Sequence, residues 1–298
     1  MTARLILCVI LGALLVQSCS SEPPPSKKSA PLFKNEVPQN LGFKQELTYL
    51  ESTGRLSGAA KHEIESAIEN AEKKLGVPKT LLWCLLFQES RFDEFMGADQ
   101  DKGARGLGQF TRHALSEINE ETNHYDSRTE AVFEQDLKPL SLPITFDLIR
   151  PADFDFTARI QRKAPPQPKN SYFNASTAVL GSAAYLNNRY SQLKHSLEKN
   201  TLHYDPQVLW LYAAAAYNKG ARSVFVVLSQ QRMYGGEPAV AELLQSTKLS
   251  YALLTHKDLL DYSLSEVFSP EKREKYIIEL TRNMESILSC ALPEAAGT

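Results

Sequence analysis

After residue 45, apolar side chains recur at intervals of three and four residues in nearly every patterned segment of the chain. The segment HEIESAIENAEKKLG is typical, because it puts Ile64, Ile68, Ala71 and Leu75 on one face and ends at a glycine. Alternating patterns of the kind that strands need are scarce. The β-branched run FVVL at 225–228 is better interpreted as a continued helix. The sequence therefore predicts a mainly α protein, and it shows no internal repeat.

Local start and stop signals predict where several of these helices lie. Pro78 begins a helix that runs to Glu89, and Asp205 caps a second helix, which Gly220 ends. A last helix is predicted over about 270–290. The roughly 240 residues that follow the N-terminal segments are enough to build one substantial core.

One acid interrupts the most apolar of these helices. Leu81, Leu82, Leu85 and Leu86 recur at helical spacing, and Glu89 follows Leu86 by three residues, so its carboxyl emerges at the edge of the apolar face. Burial at such an edge disfavours the charged form and raises the pKa of a carboxyl, which suits a general acid near neutral pH. A rim position on a buried helix is the purely structural alternative.

Two further segments favour the catalytic interpretation, because they supply polar groups that suit a site. GARGLGQF (103–110) carries three glycines, which allow a sharp turn and a close approach of the backbone to a ligand, and it contains Gln109. Further along, AAAAYNKG puts Tyr217 and Asn218 at the end of a helix of small residues. Together with the acid, these segments favour a catalytic site.

In this order the segments resemble the soluble lytic transglycosylase family, the goose-lysozyme-like enzymes that cut peptidoglycan. QESRFD (88–93) looks like the family's Glu-Ser block, GARGLGQF (103–110) like its Gly-Leu-Met-Gln block, and AAYNKG (215–220) like its Ala-Tyr-Asn-x-Gly block. LGSAAYLNNRYSQL (180–193) resembles the family helix between the second and third blocks, and the likeness covers roughly 75–229. The resemblance implies a lysozyme-like (SLT) α-helical domain.

The chain departs from the family pattern in three places. Gly108 and residues 110–111 stand where the family usually has Met and then Leu-Met-Pro, so the wall of the sugar site is expected to differ. The connection at about 112–172 is longer than the family's and is interpreted as an inserted lobe beside the cleft. The late Glu-Thr-Arg-x-Tyr block has two counterparts: EKREKYI, which supplies Tyr276, and LTRNM, which has Met284 for the Tyr. We prefer Tyr276.

The resemblance implies a mechanism with one carboxylate. Glu89 would protonate the glycosidic oxygen between N-acetylmuramic acid and N-acetylglucosamine, and would then act as base on the muramic acid C6 hydroxyl, which closes a 1,6-anhydro ring. Four residues would hold the sugar and one would be a hydrogen-bonding neighbour of the acid: Gln109, Tyr217, Asn218 and Tyr276, with Ser90 as the neighbour.

Two alternatives stay open. A true muramidase usually needs a second carboxylate, and Asp99 or Asp101 would supply it from a loop that can fold over the cleft. A catalytically inactive glycan-binding lipoprotein would keep the fold without turnover. The altered sugar-site residues favour this binder, whereas the retained Glu89 argues against it.

The N-terminus resembles a bacterial lipoprotein signal. Arg4 precedes an apolar run at 5–16, which is too short to span a bilayer and ends in small residues before Cys19. Cleavage before Cys19 would leave a lipid-modified cysteine as the first mature residue, and an ordinary secretory signal is the alternative. Ser20, with no Asp after the cysteine, implies attachment to the outer membrane, facing the periplasm.

The predicted domain organisation follows from these segments. Residues 1–18 are a lipoprotein signal peptide, and residues 19–45, rich in Ser, Pro, Lys and Glu, form a flexible tether. Residues 46–298 are the lysozyme-like transglycosylase domain, with the insertion at about 112–172. The expected partners are peptidoglycan glycan strands and, through Cys19, a membrane; we expect a monomer.

Charge and residue usage exclude other classes. A net charge of -2, from 33 basic and 35 acidic residues, gives no positive field for nucleic acid. The 6 histidines show no metal-site spacing, so neither a metal nor another cofactor is implied. Of the 4 cysteines, Cys84 and Cys290 remain after Cys8 and Cys19 are assigned to the signal and the lipid, and they either form a disulfide or stay as free thiols.

Overall fold

In a computed structural model of the chain, the described residues are Phe33 and the ranges 58–97, 103–118, 173–264 and 269–292. All of them belong to one compact unit, Pro31–Thr298. The predicted signal peptide, Cys19, Asp99, Asp101 and residues 119–172 of the predicted insertion lie outside the described residues. The predicted tether also lies outside them, except Phe33, which is buried with the core cluster.

Within the described ranges the chain forms nine helices and no strand. An isolated antiparallel bridge joins Arg105 and Phe110. The prediction of a mainly α protein is confirmed. The helices are α1 (Gly58–Leu75), α2 (Lys79–Ser90), α3 (Arg112–Ile118), α4 (Ala175–Lys199), α5 (Pro206–Lys219), α6 (Ala221–Gln245), α7 (Thr247–Thr255), α8 (Lys257–Leu264) and α9 (Pro270–Ala291).

The sequence signals at the helix ends act as predicted. The Asp205 carboxylate accepts a hydrogen bond from the Gln207 amide at 2.7 Å and so satisfies one of the unpaired N–H groups that begin α5. Gly220 ends α5 at a φ of 82°, a conformation that a side chain would strain. The predicted helix at 225–228 is part of α6, and α9 extends the predicted 270–290 by one residue.

α2 is buried on nearly all sides, which explains why its sequence is apolar all round. Every residue from Thr80 to Phe87 is buried, and the four leucines are fully so. It packs most closely against α9, while α4 packs against α1 and α5. A polar residue in the last turn of such a helix is therefore held firmly between neighbouring elements.

Two features tie distant parts of the chain to this core. Cys84 of α2 and Cys290 of α9 form a disulfide across 206 residues of sequence, which resolves the choice that the sequence left open. Leu115 and Ile118 of α3 are buried in the same core cluster, so the first residues of the predicted insertion belong to the main body of the domain. No helix in the described ranges is long and apolar enough to cross a bilayer.

Candidate active site

A cleft of about 800 Å³ opens where six of the helices and the 104–111 loop meet. It is bounded by the last turn of α2, by α3 and α4, by the junction of α5 and α6, and by one residue of α9. The polar and charged residues that line it are Glu89, Gln109, Thr111, Glu117, Tyr185, Arg189, Gln192, Tyr217, Asn218, Lys219, Arg222 and Asn283.

Glu89 lies in the last turn of α2 and is partly buried in the wall of this cleft. Burial raises the pKa of its carboxyl from the usual 4.5 to about 7, although a hydrogen bond from Asn218 and the positive charge of Lys219 both favour the ionised form. Desolvation is the largest of the three effects, so the pKa rises. The carboxyl is therefore near half protonation at neutral pH, so it can both give and accept a proton.

A chain of three side-chain amides fixes the orientation of the acid. Asn218 Nδ2 donates to Glu89 Oε1 at 2.9 Å, Asn283 Nδ2 donates to Asn218 Oδ1 at 3.1 Å, and Gln88 Nε2 donates to Asn283 Oδ1 at 3.2 Å. The chain starts and ends on neighbouring residues of α2 and passes through α9 and α5. Because Asn218 and Asn283 each accept a hydrogen bond at the side-chain oxygen, their nitrogens are directed to the next group, and Glu89 Oε1 is held as an acceptor.

Gln109 stands on a tight loop whose ends are tied together. The backbones of Arg105 and Phe110 exchange hydrogen bonds of 3.1 and 2.9 Å, and the Gly106 amide bonds the Met96 carbonyl oxygen at 2.8 Å. Gln109 adopts a left-handed φ of 48°, and its side-chain nitrogen donates to the Gly106 oxygen at 2.9 Å. The loop thereby presents Gln109 to the cleft in a fixed position.

Gly108 allows this loop to lie directly against α4. A Cβ at position 108 would come within 2.2 Å of Ser182 Oγ and 2.7 Å of the Phe110 ring. The Gly108 carbonyl oxygen accepts the Tyr217 hydroxyl at 2.8 Å, which also lies 3.3 Å from Ser182 Oγ. A larger side chain would not fit here, so glycine at this position allows the loop to pack directly on α4 and α5.

The opposite part of the cleft wall carries a buried ion pair. Arg189 of α4 pairs with Glu117 of α3, and their side chains are 4% and 2% exposed. Arg189 also donates to the Tyr185 hydroxyl and, at 2.9 Å, to Gln192 Oε1. The Tyr185 ring packs edge-on against Tyr217 at 5.1 Å between ring centres. The two opposite charges are thus paired within the wall.

The structure brings together four of the residues that the sequence predicted for the site, namely Glu89, Gln109, Tyr217 and Asn218. The Tyr217 hydroxyl donates its hydrogen bond to the Gly108 carbonyl oxygen. Tyr217 therefore supports the Gln109 loop and contributes its ring to the wall of the cleft. Burial raises the pKa of this hydroxyl well above its usual range. Tyr217 is therefore a neutral part of the wall.

Two predicted residues do not line the cleft. Ser90 is fully buried, and its hydroxyl donates a hydrogen bond of 3.1 Å to the Leu86 carbonyl oxygen within the same helix. Tyr276 points towards α6, where its hydroxyl lies beside Ser223, and its ring centre is 5.8 Å from Lys219 Nζ. Burial raises the pKa of this hydroxyl. A tyrosine at this point of α9 is two turns from the position that reaches the cleft.

Asn283 occupies that position, and the sequence analysis missed it. It belongs to LTRNM, the second of the two late-block candidates, one residue before Met284. Its signal was weak because asparagine stands where neither the family's Thr-Arg nor its Tyr is expected. Glu117, Arg189 and Lys219 were missed as well, since nothing local in a sequence says which charged residues will face one cleft.

Within the described residues no group of His, Cys, Asp and Glu could hold a metal ion. Asp99 and Asp101, the predicted second carboxylates of a muramidase, lie outside those residues. Comparison of the chain with protein-family models, with curated proteins and with solved structures gave no match. The chemistry of the cleft must therefore be argued from its own residues.

Proposed function

We propose that this chain is a peptidoglycan lytic transglycosylase with a lysozyme-like domain, which cleaves the β-1,4 bond between N-acetylmuramic acid and N-acetylglucosamine. The observation that carries the proposal is the Glu89 carboxyl, which lines an open cleft, has a pKa of about 7 because of burial, and is oriented by Asn218. The resemblance of the segments around Glu89, Gln109 and Asn218 to the family's blocks agrees with it.

The second acid of the cleft supports a mechanism with one carboxylate. Among the described residues that line the cleft, Glu117 is the other carboxylate, and its charge is taken up by Arg189. A buried carboxylate paired in this way is a poor nucleophile and a poor base, because breaking the pair would leave two uncompensated charges. Hydrolysis with two working acids would need a further carboxylate in reach of the bond.

The proposed reaction is balanced by Glu89 alone. Its proton goes to the glycosidic oxygen as the bond from that oxygen to the muramic acid C1 breaks, and C1 takes on positive charge. The Glu89 carboxylate then accepts the proton of the C6 hydroxyl while the C6 oxygen bonds to C1. The carboxyl is restored and no water is consumed. A pKa of about 7 suits both half-reactions, since neither protonation state is strongly favoured.

The surrounding amides have complementary roles in this proposal. Asn218 holds Glu89 Oε1, so the proton is carried by the other carboxyl oxygen. Gln109, fixed by its loop, offers amide groups to the sugar's hydroxyl or N-acetyl oxygens. Holding the reacting atoms and the acid in one geometry supplies a large share of the rate acceleration of such enzymes.

The proposed location is the cell envelope, with a lipid on Cys19 anchoring the protein to the outer membrane on its periplasmic side. The disulfide between Cys84 and Cys290 agrees with export, because such bonds persist in oxidising compartments and are rare in reducing ones. A tether at 19–45 would let the anchored domain reach glycan strands at a distance.

The test is release of soluble muropeptides from purified peptidoglycan by the wild type and by Glu89→Gln. The wild type is expected to release them, and Glu89→Gln, which keeps the shape and cannot supply a proton, is expected to lose at least about a thousandfold. Glu69→Gln, on the exposed face of α1, is the matched control and should act like the wild type. If neither the wild type nor Glu89→Gln releases detectable muropeptides, a catalytically inactive glycan-binding lipoprotein would explain the chain better.

A further inference from the structure

Lys219 is the charged residue that follows directly on Asn218, and it lines the same cleft as Glu89. Its ammonium does not stand free: it forms a salt bridge with the Glu279 carboxylate of α9, with side-chain exposures of 18% and 37%. A partly buried pair of this kind places its cation with more precision than a surface pair does.

One face of α9 bonds two successive residues of α5, Asn218 and Lys219. Glu279 and Asn283 are four residues apart in α9 and therefore lie one above the other on the same face. Asn283 orients Asn218, which bonds Glu89, and Glu279 takes the charge of Lys219. The hydrogen-bond donor and the cation beside the acid are thus both set by α9.

The two residues of α5 influence Glu89 in the same direction, whereas burial opposes them. A cation near a carboxyl favours the ionised form, and Lys219 lowers the pKa of Glu89 against the effect of desolvation. Glu279 is itself kept ionised, because its hydrogen bond with Lys219 and the charges of Lys275 and Arg282 lower its pKa. It can therefore hold the ammonium throughout the neutral range.

We propose that Glu279 is a positioning residue for the catalytic acid: by pairing with Lys219 it anchors the ammonium to α9 and so limits how strongly that charge stabilises ionised Glu89, which leaves Glu89 able to donate a proton near neutral pH. This inference rests on the proposed function, because it assigns a role within the same reaction. Without Glu279, the Lys219 ammonium is released from α9 and can approach Glu89, so the acid ionises at lower pH.

The other titratable groups around the acid do not supply this effect. Arg189 and Glu117 neutralise each other on α4 and α3. Tyr217 of α5 is buried and neutral, and the charged Arg222 of α6 is exposed to solvent at the edge of the cleft. None of the described residues of α1, which also packs on α2, lines the cleft. Lys275 and Arg282 on α9 act on Glu279 rather than on Glu89.

The test is a direct titration of Glu89 by carbon NMR of glutamate side chains labelled at the carboxyl, with the Glu89 signal assigned by its loss in Glu89→Gln. We expect Glu279→Gln to lower the midpoint of Glu89 by about 0.5 to 1 pH unit and Lys219→Met to raise it by a similar amount. In the Lys219→Met background, Glu279→Gln should have no further effect, because Glu279 acts through Lys219.

Glu274→Gln is the matched control, since it removes an acid of the same helix that pairs with Lys257 at 3.8 Å and is exposed. It should leave the midpoint of Glu89 unchanged. A Glu279→Gln variant that titrates like the wild type would overturn the proposal. A Glu279→Gln shift of equal size with and without Lys219 would also overturn it, because Glu279 would then act on Glu89 directly.

The pH profile of muropeptide release links the titration to function. The alkaline limb, where Glu89 loses its proton, should move to lower pH in Glu279→Gln and to higher pH in Lys219→Met. The two measurements separate the claims. Release by the wild type without the NMR shifts would sink this inference alone. If the NMR shifts are found but the wild type releases no muropeptides, the proposed reaction is wrong. Glu279 would then tune the pKa of Glu89 without a catalytic role, so the inference that it positions a catalytic acid would fall as well.

Discussion

Glu89 owes its chemistry to the position of one residue on an otherwise buried helix. Three residues earlier Leu86 is fully buried, and at the next turn the chain must leave the core, so the carboxyl lies where water is scarce and a cleft begins. Asn218 and Lys219 favour the charge that burial resists, and burial prevails. The resulting pKa of about 7 is a property of the surroundings of Glu89.

This raised pKa predicts a pH-dependent cost in stability. Because the folded protein holds the Glu89 proton more tightly than the unfolded chain, the stabilisation is complete below pH 4.5 and is lost as the pH rises to about 7. Glu89→Gln stays neutral at all pH values. Its free energy of unfolding should therefore equal that of the wild type at pH 4 and exceed it by about 2–3 kcal/mol at pH 8. Thermal unfolding at both pH values measures this. A difference that is the same at both would contradict it.

Asn283 gives a second test at the same scale. Asn283→Ala removes the donor that orients Asn218 and leaves two amide groups without their partners. We expect muropeptide release to fall by about tenfold, equivalent to one lost hydrogen bond in the transition state. Thr281→Ala, which removes a side-chain bond to the Ile277 carbonyl oxygen within α9, is the control. Similar losses in both variants would mean that Asn283 matters only for the helix.

The residues that sequence analysis predicted for the site are those whose signal is local. Glu89 ends an apolar pattern, and Gln109 and Asn218 belong to glycine-marked turns, so their neighbours in sequence identify them. Asn283 reaches the cleft because of the way in which α9 packs on its neighbours, which depends on contacts between residues far apart in the sequence. Tyr276 was chosen by motif, and it lies two turns earlier in α9, beside Ser223.

At the scale of elements, the 104–111 loop depends on a glycine that sequence analysis took for a turn former. Gly108→Ala would drive a methyl group into Ser182 Oγ and the Phe110 ring, so we expect a loss of about 1–3 kcal/mol and slower turnover. In a Ser182→Ala background, part of this loss should disappear, because the nearest obstacle is gone. Thermal unfolding of the four proteins gives the coupling. A fully stable Gly108→Ala variant would show that the loop can move away.

The disulfide joins α2 and α9, the two elements that supply Glu89 and Asn283. A protein without residues 1–19 retains only Cys84 and Cys290 of the 4 cysteines. Replacing both by alanine should lower the free energy of unfolding by about 2–5 kcal/mol, because the unfolded chain is no longer closed into a long loop. Reductant should lower the stability of the wild type and not that of the double variant. Two free thiols in the oxidised wild type would contradict the disulfide.

The helix bounds were predictable because each depends on nearby residues such as Asp205, Gly220 and Pro78, which act through their own backbone. The assembly of these helices around α2 was not, since an apolar run says that a helix is buried but does not identify its partners. The pairing of Cys84 with Cys290 shows the same limit: composition left two possibilities, and the contact of α2 with α9 decides between them.

At the scale of the whole molecule, the proposed reaction requires the cleft to reach the glycan strands. The described residues form a cleft with the Glu89 carboxyl in its wall, and the predicted tether and lipid anchor would bring that cleft to the strands. Residues 112–118 of the predicted lobe at about 112–172 form α3, whose Glu117 lines the cleft, and the rest of the predicted lobe lies outside the described residues. Its role stays a prediction.

The most direct test of this account is mass spectrometry of the muropeptides that the protein, without residues 1–19, releases from purified peptidoglycan. The account predicts 1,6-anhydro-muramic acid ends, lighter by one water than hydrolysis products and without label when the reaction runs in ¹⁸O water. Reducing ends that carry the label would contradict the mechanism with Glu89 as sole acid and base, and would direct attention to Asp99 and Asp101 as the second carboxylate.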